Sequence, residues 1–392
     1  MSKVLKDTIR NYCSKHVSPK SQTWYLMGTT HNNRQIEKNI VNSLRKDYIY
    51  AHRSYFLQYV NEAAGALEGE TFLPLRKRFE KFCHYNGLSR EQYTSWVMLG
   101  AYQLSEEIDK IEEENLKKMS MLAWSFESAV TSLVMADDFI DGETIRWKKP
   151  CWFRNPNIGC SVISDMDLLR MSGFYMIRKY FRNQPYYRHL LNLLVELIHA
   201  TVVGQTMDLY ASKTFKRSRD LNLLNLKKYF EATRFKAYVP ILRCCTVATL
   251  YLTNTHQEYF KYENIFEKFG CHSQITNDLH DLFGKYESFG RGSSDIEEGK
   301  CSWVIAVAIE HANDKQMRLL KNNYGRSEPK CQQIVLDVYK EIDVVQKFYD
   351  YNTQLLEEIN NDLKNVSNPK IFNIIKNYVD LYIDVDYDFA SY

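Results

Sequence analysis

The stretch that decides the fold is Ser125-Phe-Glu-Ser-Ala-Val-Thr-Ser-Leu-Val-Met-Ala-Asp137-Asp138-Phe139-Ile140-Asp141. From Ser125 to Ala136 it is apolar or small on almost every side, with no glycine or proline, which argues for a helix buried in a protein interior. Carboxylates at the end of such a helix are unlike an ordinary wet surface. Residues four apart share a helix face, so Asp137 and Asp141 project together, with Asp138 about 100° round. Like charges at that spacing cost a free helix roughly 0.2–0.5 kcal/mol, and a hard divalent cation would offset that cost.

Asn277-Asp278-Leu279-His280-Asp281 repeats the pattern further along the chain. Taken alone, each motif reads first as a solvated acidic face, the usual explanation of such a pair. Together they suggest a clamp. Magnesium takes one or two carboxylates and completes its octahedron with water and phosphate oxygens, so two such faces would hold a diphosphate between metal ions. Cations occur at useful places: Arg146 just past the first motif, Lys236 amid Phe235, Ala237, Tyr238 and Val239, and Lys300 before the apolar run KCSWVIAVA. Buried cations of this kind need partners.

The whole chain is consistent with an all-α protein. It has 392 residues but 8 prolines and 15 glycines, few breakers for that length. Helical patterns are expected at 117–141, 165–182, 187–209, 223–252, 257–283, 300–310, 314–323, 330–363 and 369–379, with loops at 142–159 and 284–299. No internal repeat or linker appears, so residues 51–392 read as a single helical domain. Residues 1–50 read as a polar N-terminal extension. Lys3, Lys6, Arg10, Lys15 and Lys20 with interspersed serines fit either a solvated tail or a transit peptide.

Fifty-one basic against 48 acidic residues give a net charge of +3 with no basic stripe, so no nucleic-acid partner is expected. No apolar run reaches about 18 residues, so no membrane span is expected. The nine cysteines are odd in number and lack metal-ligand spacing. Reduced thiols follow, with a cytoplasmic location expected and a mitochondrial one as the alternative.

These residues resemble the short-chain isoprenyl diphosphate synthases, especially animal farnesyl diphosphate synthases, from about Tyr85 to Leu363. The most specific matches are Gly204-Gln205-Thr206-Met207-Asp208-Leu209 and Asp295-Ile296 through Lys300-Cys301-Ser302-Trp303. The resemblance implies an all-helical isoprenoid synthase bundle with a central cavity, a homodimer, a prenyl diphosphate substrate and three Mg²⁺ ions. Asp137, Asp138, Asp141, Asn277, Asp278 and Asp281 would bind the metal. Arg146, Lys236 and Lys300 would contact the allylic diphosphate. Gln205, Asp208 and Gln274 would line the cavity near the reacting carbon.

The chain also departs from that family. Coupling enzymes hold a second diphosphate, isopentenyl diphosphate, with Gly-Gly-Lys-x-x-Arg after a Tyr-Asn pair. Here Tyr85-Asn86 leads into Gly87-Leu88-Ser89-Arg90-Glu91-Gln92-Tyr93-Thr94. An arginine pair after the first motif has become Arg146-Trp147, and a polar His or Gln seven residues before Asp137 has become Val130. The tail is acidic, with Asp380, Asp384, Asp386 and Asp388. Losing several charge-assisted contacts, each worth about 1.5–3 kcal/mol, should abolish useful affinity for a second diphosphate.

The sequence therefore resembles terpene synthases that arose within insects from farnesyl diphosphate synthase-like ancestors. Lys285 stands where plant and microbial terpene synthases place a further acidic residue. Leu133 and Ser132 lie one turn below Asp137, about 6–7.5 Å deeper, where bulky aromatics limit product length in the family. A C15 substrate is expected to fit, with Ser132 packing on a neighbouring helix as the alternative. The function expected is Mg²⁺-dependent ionisation of an allylic diphosphate, farnesyl diphosphate foremost. The alternative is condensation with isopentenyl diphosphate through Arg90, Lys148 or Lys149.

Overall fold

The computed structural model describes residues 43–65, 67, 69–87, 92–106, 112–146, 149–283, 295–383 and 389. The basic N-terminal stretch, Arg90, Trp147, Lys148, Lys285 and the aspartates Asp384, Asp386 and Asp388 lie outside the described residues. The architecture is all-α, as expected. The one piece of sheet among the described residues is a two-residue antiparallel ladder, β1 (Ile145–Arg146) with β2 (Lys149–Pro150). The helices group into two compact units, one reaching to Leu194 and including Ala248–Thr255, the other comprising Val195–Val247 and the chain from His256.

In the first unit, α1 (Lys46–Ala64), α3 (Tyr93–Ser105) and α5 (Val162–Phe181) pack around α4 (Glu113–Asp141), and α2 (Leu73–Asn86) packs on α1 and α5. Acidic Glu113 and Glu114 occupy the first turn of α4, where they complement the helix dipole. Trp124 and Phe126 are 2% and 0% exposed, so the expected interior helix is observed. The approach of α5 to α4 requires Gly173, because an added Cβ would lie 2.6 Å from the Ser125 carbonyl oxygen. Gly142 ends α4 in the left-handed region at φ 69°, which glycine enters without strain.

The second unit takes α6 onward from Val195; α6 spans Tyr187–Ser218. It continues through α7 (Leu226–Thr233), a π-helical segment Arg234–Cys245, α8 (Thr246–Leu252) as far as Val247, α9 (Glu263–Phe283), α10 (Trp303–His311), α11 (Asp314–Asn323), α12 (Pro329–Ile342), α13 (Val344–Leu363) and α14 (Pro369–Tyr378). Two expected helices are interrupted. The 330–363 helix breaks at Asp343, which is left-handed at φ 58° and whose carboxylate accepts from Gln346 N to cap α13. The 223–252 helix opens into the π segment around Pro240.

By length and composition, the helices Glu113–Asp141, Tyr187–Ser218 and Leu221–Leu252 are apolar enough to cross a membrane, and 83%, 33% and 61% of their apolar windows are buried inside the protein. The expectation that no segment is so apolar is thus corrected. Small residues such as Ser, Thr and Gly between the large ones extend these windows without forming an unbroken apolar run. For α4, packing within the protein accounts for most of the apolar surface.

Candidate active site

The first-motif residues sit on the last turn of α4, but they do not share one environment. Asp138 is 3% exposed. Its Oδ1 accepts from Arg146 Nε at 2.7 Å and also from Arg146 Nη2. Burial opposes the charge on Arg146, yet Asp138, Asp137 and Glu143 outweigh it and hold the guanidinium above its ordinary pKa. Asp137 differs: its Oδ1 is buried and has no hydrogen-bond partner. A buried carboxylate oxygen left without a donor is costly unless a cation completes it. Asp141 is half-buried beside the helix-terminating Gly142.

Arg146 arrives at Asp138 because the ladder Arg146↔Lys149 folds the loop back beneath α4. Its far end is tied down by Asp165, which accepts from Arg78 at 2.7 and 2.8 Å and from Trp152 Nε1 at 2.8 Å. Val130 is half-buried and Leu133 is 8% exposed. Ser132 is fully buried; it donates to the Ala129 carbonyl and accepts from Arg170 Nε of α5 at 3.2 Å. Its small side chain thus serves the α4–α5 contact.

In the second unit, Pro240 controls where Lys236 points. Proline lacks the N–H that would bond the carbonyl four residues back, and its ring crowds that carbonyl. The carbonyl belongs to Lys236, and the helix widens to π over Arg234–Cys245. Two glycines admit the widened segment. A Cβ on Gly204 of α6 would lie 2.9 Å from Lys236 N, and one on Gly270 of α9 would lie 2.5 Å from Tyr238 Cβ. One turn beyond Gly204, Asp208 meets Lys236 with Oδ2 2.5 Å from Nζ. Gln205, its neighbour on α6, is half-buried.

The second motif is on α9. Asn277 is exposed and Asp281 half-buried, whereas Asp278 is 6% exposed. Asp278 accepts from Trp303 N, the first N–H of α10, and from Gln274 Nε2, both at 2.8 Å. Burial pushes its carboxyl up to about 6, although the Trp303 N–H, Gln274, Tyr229 and Lys236 favour the charged form. Asp281 Oδ2 accepts from Asp295 N at 3.4 Å. Lys300, just before α10, pairs with Glu298 at 2.6 Å and lies 3.9 Å from Asp295. The partners expected for Lys236 and Lys300 are therefore Asp208 and Glu298. Pro240 and Gly270 were not singled out from sequence, although proline inside a helical stretch was a visible signal; Gly204 was noted only within the family match, and Lys149 only for the alternative isopentenyl diphosphate site.

Among the described residues no three His, Cys, Asp or Glu side chains converge on an ion-sized position. The donor set nonetheless suits magnesium, which uses few protein ligands and fills its shell with water and phosphate oxygens. The buried, unpartnered Asp137 Oδ1 is the oxygen best suited to ligate such an ion.

Residues 91–342 match the polyprenyl synthetase family. The chain belongs to that family. Polyprenyl synthetases are enzymes that use divalent metal ions and prenyl diphosphates. The chloroplastic bifunctional chrysanthemol synthase of Tanacetum cinerariifolium is 30% identical over 77% of this chain and 76% of its own. The farnesyl pyrophosphate synthase of Zea mays is 28% identical over 78% and 87%. Among solved structures, T. brucei farnesyl diphosphate synthase bound to a bisphosphonate superposes with a TM-score of 0.80 at 18% identity, covering 86% of this chain and 99% of that one. That likeness confirms the isoprenoid synthase fold.

Proposed function

We propose that this polyprenyl synthetase is a class I terpene synthase, ionising an allylic prenyl diphosphate, farnesyl diphosphate foremost, to a terpene and diphosphate. The observation that carries the reading is an asymmetry of charge. Arg146, Lys236 and Lys300, suited to one diphosphate, are each held by a carboxylate, while the set for a second is depleted: Gly87–Thr94 keeps Arg90 alone beside Glu91, Trp147 and Val130 replace polar positions, and the tail is acidic.

Three side-chain pairs do the electrostatic work. Arg146 is held by Asp138, Lys236 by Asp208 and Lys300 by Glu298. Fixed cations of this kind stabilise charge as it accumulates on the departing diphosphate when the allylic C–O bond breaks. Asp137 and Asp141 on α4, and likewise Asn277 and Asp281 on α9, would serve as magnesium ligands, the metal supplying Lewis acidity to the leaving group. Asp138 and Asp278 orient these sets through Arg146 and Gln274. Leu133 and Val130 would shape the prenyl pocket. The allylic cation then ends by losing a proton or by taking up water, and bulk water must be kept out until that point.

A second reading has equal support from the relatives, which include a farnesyl pyrophosphate synthase: condensation of the allylic diphosphate with isopentenyl diphosphate. Purified protein with Mg²⁺ is to be incubated with geranyl, farnesyl or geranylgeranyl diphosphate, each with and without isopentenyl diphosphate. Extracts are then analysed by gas chromatography–mass spectrometry before and after phosphatase. Terpenes from one allylic substrate alone are expected. Longer prenols that need isopentenyl diphosphate and appear after phosphatase would establish the second reading instead.

A further inference from the structure

The hairpin that carries Arg146 sets it directly opposite Lys149. Opposed residues of an antiparallel pair project on one face, and like charges there repel. Both side chains line a narrow cleft with Tyr85, Asn86, Asp138 and Trp152, wholly within the first unit. Asp138 answers Arg146, but Lys149 makes no ion pair among the described residues. Its ammonium instead lies 5.3 Å from the centroid of the Tyr85 ring. That ring is anchored, because the Tyr85 hydroxyl donates to the Pro150 carbonyl at 2.8 Å. Partial burial of Lys149 lowers its pKa, as an incompletely compensated ammonium should show.

The cleft thus gathers two cations and one carboxylate, leaving one positive charge over. Arg146 has five N–H donors, and the two observed bonds to Asp138 use Nε and Nη2. We propose that Lys149 and the remaining edge of Arg146 form a two-cation clamp for a phosphoryl group of a bound diphosphate, with the Tyr85 ring holding Lys149 in place. This rests on reading Arg146 as a diphosphate contact. The repulsion across the ladder is then relieved by an anion shared between the two strands.

The test is titration calorimetry of the full chain with inorganic diphosphate and Mg²⁺, comparing wild type, Lys149→Met and Lys149→Arg, each checked for an unchanged thermal midpoint. Loss of one charge-assisted contact should weaken binding about tenfold or more in Lys149→Met, with recovery in Lys149→Arg. Lys149→Gln serves if the Met variant does not fold. Equal affinity in wild type and in the neutral variant overturns the clamp. The same titrations with a thiolo analogue of farnesyl diphosphate and with isopentenyl diphosphate identify the source of the phosphoryl group. A loss for the allylic analogue places the clamp on the ionising substrate. A loss confined to isopentenyl diphosphate keeps the clamp but overturns the terpene synthase reading.

Discussion

Asp137 and Asp138 are adjacent in sequence and opposite in circumstance. Asp138 is turned inward onto Arg146, while Asp137 keeps a buried oxygen without a donor. Asp137→Ala should therefore cut kcat by about 10²-fold or more, as removal of an electrostatic stabiliser does. Asp138→Asn should act through Arg146, raising KM for the allylic diphosphate as well as lowering kcat. Arg90→Ala should leave steady-state rates with an allylic diphosphate alone within about twofold of wild type, since the proposed reaction uses no second diphosphate for Arg90 to hold. Elsewhere, His272 is buried, and its Nε2 lies 2.7 Å from Asn352 Oδ1. Asn352 Nδ2 donates to the Ile383 carbonyl, so Oδ1 accepts and Nε2 carries the proton. Burial lowers His272 from 6.5 to about 4. Below pH 6.5 the unfolded chain takes up a proton that the folded chain refuses until about pH 4. Folding stability should fall across that window by on the order of 3 kcal/mol. Urea unfolding of wild type and His272→Gln at pH 7 and pH 4.5 checks this, the variant showing the shallower loss.

The elements show which features of a helix can be read locally. The end of α4 was legible, because Gly142 follows the last carboxylate and takes the left-handed turn. The break at Asp343 was not, because an aspartate flanked by Ile342 and Val344 carries no comparable signal, yet it turns left-handed at φ 58° and caps α13. Pro240 was visible, but its effect on Lys236 depends on two glycines brought in from α6 and α9. Pro240→Ala restores the missing N–H and should let the segment tighten toward an α-helix, rotating Lys236 away from Asp208. A fall in kcat with retained circular dichroism is expected. Gly204→Ala and Gly270→Ala overpack the same seam and should each cost about 1–3 kcal/mol by chemical denaturation.

For the whole molecule, α5 exposes Met171 at 58% and Tyr175 at 39%, four residues apart on one face. A homodimer is the assembly proposed here. If α5 contributes to it, Met171→Glu should shift the mass in light scattering from dimer toward monomer without lowering the thermal midpoint of the folded chain. The sequence by itself determined the all-α class, the buried α4, the acidic motifs and the cations beside them. Each of these is fixed by residue type at short spacing, where helix geometry alone sets who shares a face. Tertiary structure alone decided which carboxylate each cation takes, that Ser132 meets Arg170, and that Lys149 lies over Tyr85 with no ion-pair partner among the described residues. Lys300 and Glu298 are neighbours across one turn, but the other pairings join residues from 8 to 64 positions apart, through a hairpin, a π segment and glycine-sized clearances between helices. No local pattern encodes such distances, because they arise only when separately stable helices pack.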